Sequence, residues 1–367
     1  MTEPIRVAQI MGKMVGGGRE SVVMNSSRHI DHSKVQFDFI VDEDSTLIPR
    51  QEIEALGGRI FIVPPYQHVF AYQKTLVSLF GDQGWRIVHS HENALSVFPL
   101  RAAKKAGVPV RIAHSHSTSG KGEHLRNMIK WGLRKFSRVY PTNLAACGIY
   151  AGEWLFGKDA NFTVFPNAIE LDRFAFDSEV RAETRQELGI TDETFVVGHL
   201  GRFVKQKNHL FLLRTFAQLH AVIPQSMLVL AGSGLLLDEI KQHALEIGVV
   251  DSVLFLGQRN DAERLYQAFD VFTLPSLYEG CCVVGVEAQA SGLPCLFSDV
   301  ITREVGLTAK TEFLTLDVAT WVNALKNIAK QDRTSRNIDV SVRNFDIESA
   351  AEKLTNWYIK LYQNQGV

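Results

Sequence analysis

No hydrophobic run in this 367-residue chain approaches the ~18 residues that a membrane-spanning helix requires, so a helical span is not expected. Cysteine is scarce: Cys147, Cys281, Cys282 and Cys295 have no CxxC spacing and join no Cys/His set with zinc-finger spacing. That excludes a disulfide scaffold and a zinc module of that kind. The apolar segments around these residues predict buried free thiols, which suits a reducing cytoplasm. An excess of one charge sign is also missing, since 39 basic and 40 acidic residues leave a formal charge of −1. Wholesale nucleic-acid binding is therefore not expected, and any anion site must be a local cluster. Low-complexity tracts and short tandem repeats are absent. The opening MTEPIRVAQIM lacks the basic start and long apolar core of a signal peptide. The expectation is a cytoplasmic protein, able to lie peripherally at the inner face of the membrane.

What is present is a strand–helix rhythm, stated twice. In the first half, apolar strand-length runs fall at Ile5–Met11, Val35–Val41, Arg59–Val63, Ile87–His89, Val110–His114 and Leu144–Cys147. Helical stretches lie between some of them. After a polar segment, 177–193, the rhythm resumes with Phe195–Leu200, Met227–Ala231, Val253–Leu256, Val271–Leu274 and Cys295–Phe297. Short runs that are apolar throughout suit parallel strands covered on both faces. The predicted fold class is α/β, with two Rossmann-like doubly wound domains facing across a cleft. The expected division is 1–185 and 186–345, with the amphipathic helix of 346–367 packing back on the first domain and Asp346 as its N-cap. Ligands of such sheets sit beyond the carboxyl ends of the strands.

Two segments of the second half can carry chemistry. The loop Gly201-Arg202-Phe203-Val204-Lys205-Gln206-Lys207-Asn208 places cations after a buried strand, where a phosphate would sit. Arginine offers a planar fork and lysine a mobile point charge. The segment PSLYEGCCVVGVEAQASGLP sets Glu279 and Glu287 eight residues apart. Gly280 permits close backbone approach, and the residues after it open a helix whose N–H groups suit a pyrophosphate. Either segment alone also reads as solvated charge on a surface.

In order, Gly201-Arg202…Lys207, Gly232-Ser233-Gly234, Gly257…Arg259, Pro275-Ser276…Glu279-Gly280…Glu287-Ala288 and Gly292-Leu293-Pro294 resemble glycosyltransferase family 4, retaining enzymes of the GT-B fold. Pro166-Asn167-Ala168-Ile169 resembles the family's asparagine turn. The run from Gly148 to Gly157 is similar to the subgroup that builds capsular and exopolysaccharides. The resemblance implies a transferase that moves a hexose or N-acetylhexosamine from a nucleotide-diphosphate sugar, with UDP favoured, to a glycan or lipid-linked acceptor. Arg202 and Lys207 would neutralise the diphosphate. Glu279 would meet the sugar hydroxyls, helped by N–H groups near Gly280, Cys281, Cys282 and Val283. Glu287 would take the ribose, and the backbone at Arg259 and Asn260 would face the base. The Cys281-Cys282 pair departs from the larger residue and proline common there, which leaves the donor sugar open. The resemblance implies neither a cofactor nor a metal ion.

The first half would supply the acceptor side. Gly16 and Gly17, followed by Glu20, resemble the family's glycine turn near the donor phosphate. His114 resembles its histidine beside the reacting sugar, with His116 the competing candidate because residues two apart on a strand share a face. His89 and His91 repeat the pattern on another strand. Asp42-Glu43-Asp44 has the spacing of a metal-binding DxD but reads as a solvated turn. The stretch 121–138, with Lys121, Arg126, Lys130, Arg134, Lys135 and Arg138 between apolar residues at helical spacing, can lie on an anionic membrane or pack on its own domain. A nucleotide-sugar epimerase or hydrolase, or a non-catalytic partner of a transferase, would present similar features.

Overall fold

Every strand pairing in both sheets is parallel, and each sheet turns back on itself once. The computed structural model describes residues 3–116, 132–280, 282–333, 336 and 339–364. The chain divides into two units, Met1–Ile169 with Asn344–Val367, and Glu170–Arg343.

The first unit contains β1 (Ile5–Gly12), β2 (Val35–Asp42), β3 (Arg59–Val63), β4 (Ile87–Ser90), β5 (Val110–Ser115), β6 (Asn143–Ala146) and β7 (Thr163–Val164). Their order is β3-β2-β1-β4-β5-β6-β7, so the strand order switches between β1 and β4. All eight residues of β2 are buried, because helices cover both faces. On one face Val7, Phe37 and Ile112 pack with Val23 of the helix Gly18–His29 and with Leu354 and Tyr358 of the helix Ile347–Gln363. On the other, Ala8, Val88 and Ala113 pack with Tyr72, Leu76 and Phe80 of the helix Val69–Gln83. The last helix is capped by Asp346, whose carboxylate accepts from the Ser349 N–H at 3.1 Å.

The second unit contains β8 (Phe195–Leu200), β9 (Ser226–Ala231), β10 (Val253–Gly257), β11 (Val271–Leu274), β12 (Cys295–Ser298) and β13 (Thr311–Leu314). The order β10-β9-β8-β11-β12-β13 puts its switch point between β8 and β11.

The division differs from the expected boundary at 185. The polar segment 177–193 contains the helix Ser178–Glu187, which belongs to the second unit. Its arginines are not solvated. Arg181 donates to Asp270 Oδ1 at 2.6 Å and Arg185 to the same oxygen at 3.4 Å, while Arg333 reaches Oδ2 at 3.3 Å. The Val196 N–H donates to Oδ2 at 2.8 Å. Asp270, immediately before β11, is thus the buried counter-charge that ties this helix to the sheet. A polar composition cannot distinguish a linker from a helix whose partner carboxylate lies 85 residues away.

Candidate functional site

In the second unit the two candidate segments meet at the switch point. The loop after β8 and the loop after β11 are joined by backbone and side chain: the Leu277 N–H donates to the Gln206 carbonyl at 2.8 Å, and the Gln206 amide to the Tyr278 carbonyl at 2.9 Å. Asn208, at φ +56°, donates to the Pro275 carbonyl. This joining brings Lys207 Nζ to Glu279 Oε1 at 2.7 Å, with both side chains largely buried. Arg202 stands exposed at the start of the same loop and makes no side-chain hydrogen bond or ion pair among the described residues.

The Gly232-Ser233-Gly234 turn after β9 supports that loop from beneath. The Phe203 N–H donates to the Ser233 carbonyl at 2.9 Å, and the Leu236 N–H to the Phe203 carbonyl at 3.0 Å. A Cβ at Gly232 would lie 2.1 Å from the Gly201 carbonyl oxygen, and one at Gly234 2.6 Å from that of Phe203. Both glycines have positive φ. The turn therefore needs glycine because backbone packs on backbone there.

Gly280 precedes the helix Val283–Ala290, whose N-cap is Cys282 in extended conformation. Gly292, at φ +71°, follows its end. At this helix start the N–H groups of Val283 and Val284 suit an anion, whereas the Gly285 N–H already donates to the Cys282 carbonyl at 3.1 Å. Glu287 lies on this helix, half-buried, and its Oε2 accepts from the Tyr266 hydroxyl at 2.8 Å. Burial pushes its carboxyl up to about 7, against the lowering effect of the Tyr266 bond. Burial likewise pushes the Cys282 thiol up to about 12. Cys282 is a free thiol, as are Cys147 and Cys295, whereas Cys281 lies outside the described residues. The Arg259 side chain is held by Asp261 at 2.6 Å and Glu187 at 3.0 Å. That leaves the backbone of Arg259 and Asn260, in the loop after β10, as the part at the strand ends.

In the first unit the carboxyl ends of β1, β4 and β5 gather the predicted acceptor-side residues. Gly16 has φ +79°, and the N–H groups of Val15 and Gly17 donate to Glu20 Oε2 at 3.1 and 2.6 Å. Glu20 thus occupies donors that a phosphate would use, and phosphate binding there would require it to let go. His114, on β5, and His116, just past it, are both buried, with ring centroids 4.0 Å apart. His114 Nδ1 bonds His89 Nε2 at 3.0 Å, and His116 Nε2 bonds His91 Nδ1 at 2.8 Å. His89 continues to the Tyr358 hydroxyl at 2.6 Å and His91 to Gln9 Oε1 at 2.8 Å. His114 Nε2 and His116 Nδ1 are buried without a partner. Burial holds His114 down to about 3 and the other three well below the ordinary imidazole value, so all four are neutral near pH 7.

The Asp42-Glu43-Asp44 turn is not uniformly solvated. Asp44 is exposed and pairs with Lys13 at 2.8 Å, but Asp42 ends β2 fully buried. Burial pushes its carboxyl up to about 7, and the neighbouring Glu92 and Asp44 charges add to the rise. Glu92, also buried, accepts from the Tyr72 hydroxyl at 3.3 Å and fills the space beside Gly12, where a Cβ would lie 2.3 Å from its Oε1. Of the basic stretch, residues 117–131 lie outside those described. Within the remainder, Leu133 packs into the unit's core, Arg134 lies over the Trp154 ring and Arg138 pairs with Asp159. No helix among the described residues is long and apolar enough to cross a membrane.

Sequence reasoning missed Tyr266, Glu92, Gln9 and Tyr358. Tyr266 and Glu287 face each other from different helices, and Tyr358 reaches His89 from a helix 269 positions away. No local spacing signals either contact.

A sequence profile of the family "Glycosyl transferases group 1" matches residues 180–314. The Bacillus subtilis (strain 168) protein "Putative glycosyltransferase EpsF" is 38% identical over 345 residues, covering 90% of this chain and 89% of that protein. The Escherichia coli UDP-Gal:alpha-D-GlcNAc-diphosphoundecaprenol alpha-1,3-galactosyltransferase is 29% identical over 315 residues, covering 80% of each. Among solved structures, Anabaena Alr3699/HepE in complex with UDP and glucose superposes with a TM-score of 0.81 at 18% identity, over 96% of this chain and 99% of that one. Sucrose-phosphate synthase from Thermosynechococcus elongatus gives 0.80 at 18%, over 98% and 99%. The two parallel-sheet, Rossmann-like units are those of the GT-B fold that these structures share.

Proposed function

The chain belongs to the glycosyltransferases of group 1, and from that premise we propose that it transfers a hexose or N-acetylhexosamine from a UDP-sugar, with retention, to a glycan or lipid-linked acceptor in cell-surface polysaccharide synthesis. One observation carries the donor side: Lys207 and Glu279, 72 positions apart, meet across two strand-end loops at the switch point, with Arg202 unpaired on the same loop. A diphosphate entering there finds Arg202, Lys207 and the start of the helix Val283–Ala290. In a water-poor site these fixed positive groups stabilise the negative charge that develops on the leaving phosphate. Lys207 turning from Glu279 to the phosphate frees that carboxylate to accept from the sugar hydroxyls. Glu287 takes the ribose hydroxyls, and the backbone at Arg259 and Asn260 faces the base.

In this scheme the sugar–phosphate bond breaks as the acceptor hydroxyl forms the new bond on the same face, and the departing phosphate oxygen takes the hydroxyl's proton. His114, through its open Nε2, serves the reacting sugar, and Gly16 and Gly17 lie near the phosphate. The transfer step uses no metal ion or cofactor. UDP is favoured because HepE is described with UDP and glucose and the Escherichia coli relative is named for UDP-Gal. A lipid-linked acceptor is favoured by that relative's diphosphoundecaprenol substrate. Such an acceptor would bring the protein to the inner face of the membrane.

Calorimetry and thermal shift with a panel of UDP- and GDP-sugars test the donor. Failure to bind any nucleoside diphosphate would return the chain to a non-catalytic role. Donor consumption without acceptor would point to a hydrolase or epimerase. An inverted anomeric signal in the product's NMR spectrum would remove the retaining scheme.

A further inference from the structure

Four neutral imidazoles stacked in one pocket are more than the proposed transfer chemistry uses. His89, His91 and His114 each present a ring nitrogen such that the three atoms lie within 4.8 Å of one another. His116 completes a compact group, with ring centroids 5.1 Å from His91 and 4.0 Å from His114. They line a cavity of about 30 Å³ in the first unit, alongside Gln9 and Tyr358. That volume exceeds the ~10–15 Å³ that one water-sized group occupies. Two buried ring nitrogens, His114 Nε2 and His116 Nδ1, have no partner. These two nitrogens are free to carry the protons that a cation would displace from the paired ones.

We propose that His89, His91 and His114, with His116 as the fourth donor, form a binding site for a divalent first-row transition metal of the zinc class. The donor set is all imidazole. It contains no carboxylate, which selects against magnesium, calcium and manganese and for zinc, cobalt, nickel or copper. Zinc–imidazole bonds of ~2.0–2.1 Å set ligand nitrogens ~3.4 Å apart in a tetrahedron, so the three atoms need close by little more than ~1 Å.

The outer contacts are those of ligating histidines. Gln9 Oε1 accepts from His91 Nε2, which leaves Nδ1 of that ring as a lone pair, and the Tyr358 hydroxyl, 2.6 Å from His89 Nδ1, orients that ring. The metal takes the place of the protons now shared within the His89–His114 and His91–His116 contacts. Those protons move to His114 Nε2 and His116 Nδ1, the two nitrogens that now lack partners.

The ion ties β4 to β5 inside the first unit, whereas Arg202, Lys207, Glu279 and Glu287 belong to the second. The inference goes beyond the donor reading and fails or stands independently of it. Its test is titration of the chelator-treated full-length wild type with Co²⁺. One equivalent should bind with the visible d–d bands of a tetrahedral nitrogen site, and Zn²⁺ should displace it. His89→Gln and His91→Gln should each abolish the bands, and Tyr358→Phe should weaken binding by roughly 10–100-fold. Far-UV circular dichroism and UDP calorimetry follow the fold and the donor site of each variant separately. Absence of stoichiometric Co²⁺ binding by the wild type, or bands that survive in the folded His89→Gln/His91→Gln double variant, would overturn the proposal.

Discussion

Lys207→Met separates what the Lys207–Glu279 pair does for the fold from what it does for the donor. At 2.7 Å and an effective dielectric of ~20, the attraction between the two charges is about 6 kcal/mol. Desolvation returns several kcal/mol for each ion, so the intact pair contributes little net stability. Removing one partner is different, because Glu279, 8% exposed, is left as a buried uncompensated charge at a cost of about 3–5 kcal/mol. Lys207→Met and Glu279→Gln should each destabilise the second unit, whereas the double variant should recover most of the loss. Hydrogen exchange of the buried strands β8 and β11 reports this unit alone, which matters because a two-unit chain need not unfold in one step. Donor binding should not recover. Losing one charge-assisted contact costs about 1.5–3 kcal/mol, so UDP affinity should fall by about ten- to a hundredfold in Lys207→Met and stay low in the double variant. Additive stability losses would refute the buried-pair argument. Unchanged UDP affinity would take Lys207 out of the diphosphate site.

Glu287, with a native pKa of about 7 against an ordinary 4.5, keeps its proton in the folded state where the unfolded chain has lost it. The stabilisation is complete below pH ~4.5 and is lost as pH rises to ~7, up to about 3 kcal/mol for 7 − 4.5 = 2.5 units. Exchange of the second unit at pH 5 and 8 should show Glu287→Gln flattening this slope. Asp270→Ala leaves Arg181, Arg185 and Arg333 without their shared carboxylate and should destabilise the second unit by about 3–5 kcal/mol, with unchanged stability in the near-isosteric Asp270→Asn counting against the charge argument. Gly234→Ala forces a Cβ into the Phe203 backbone and should lower both UDP affinity and the exchange protection of the Arg202–Lys207 loop, while Gly248→Ala, with open space around it, should change stability only through its positive φ.

Much of the architecture was legible along the chain. The apolar runs of the central strands are contiguous and short, because a parallel strand is buried on both faces and needs no alternation. The loops that follow the strands were legible too. Arg202, Lys207, Glu279 and the glycines around them each lie just past the end of an apolar run, although the order of those runs along the chain is not the order of the strands in the sheet, β10-β9-β8-β11. What the chain alone left open depends on contacts between distant positions. The helix Ser178–Glu187 reads only as a polar segment until Asp270 is brought under its arginines. Asp42 reads as part of a solvated turn until the sheet buries it beside Glu92. His114 reads as one candidate beside another until β4 and β5 stack four imidazoles in a single pocket and Tyr358 reaches them from the last helix. Burial and the pairing of charges are properties of three-dimensional neighbours, so composition and spacing determined the elements and their order, and the tertiary structure alone decided which polar groups lost their water and what replaced it.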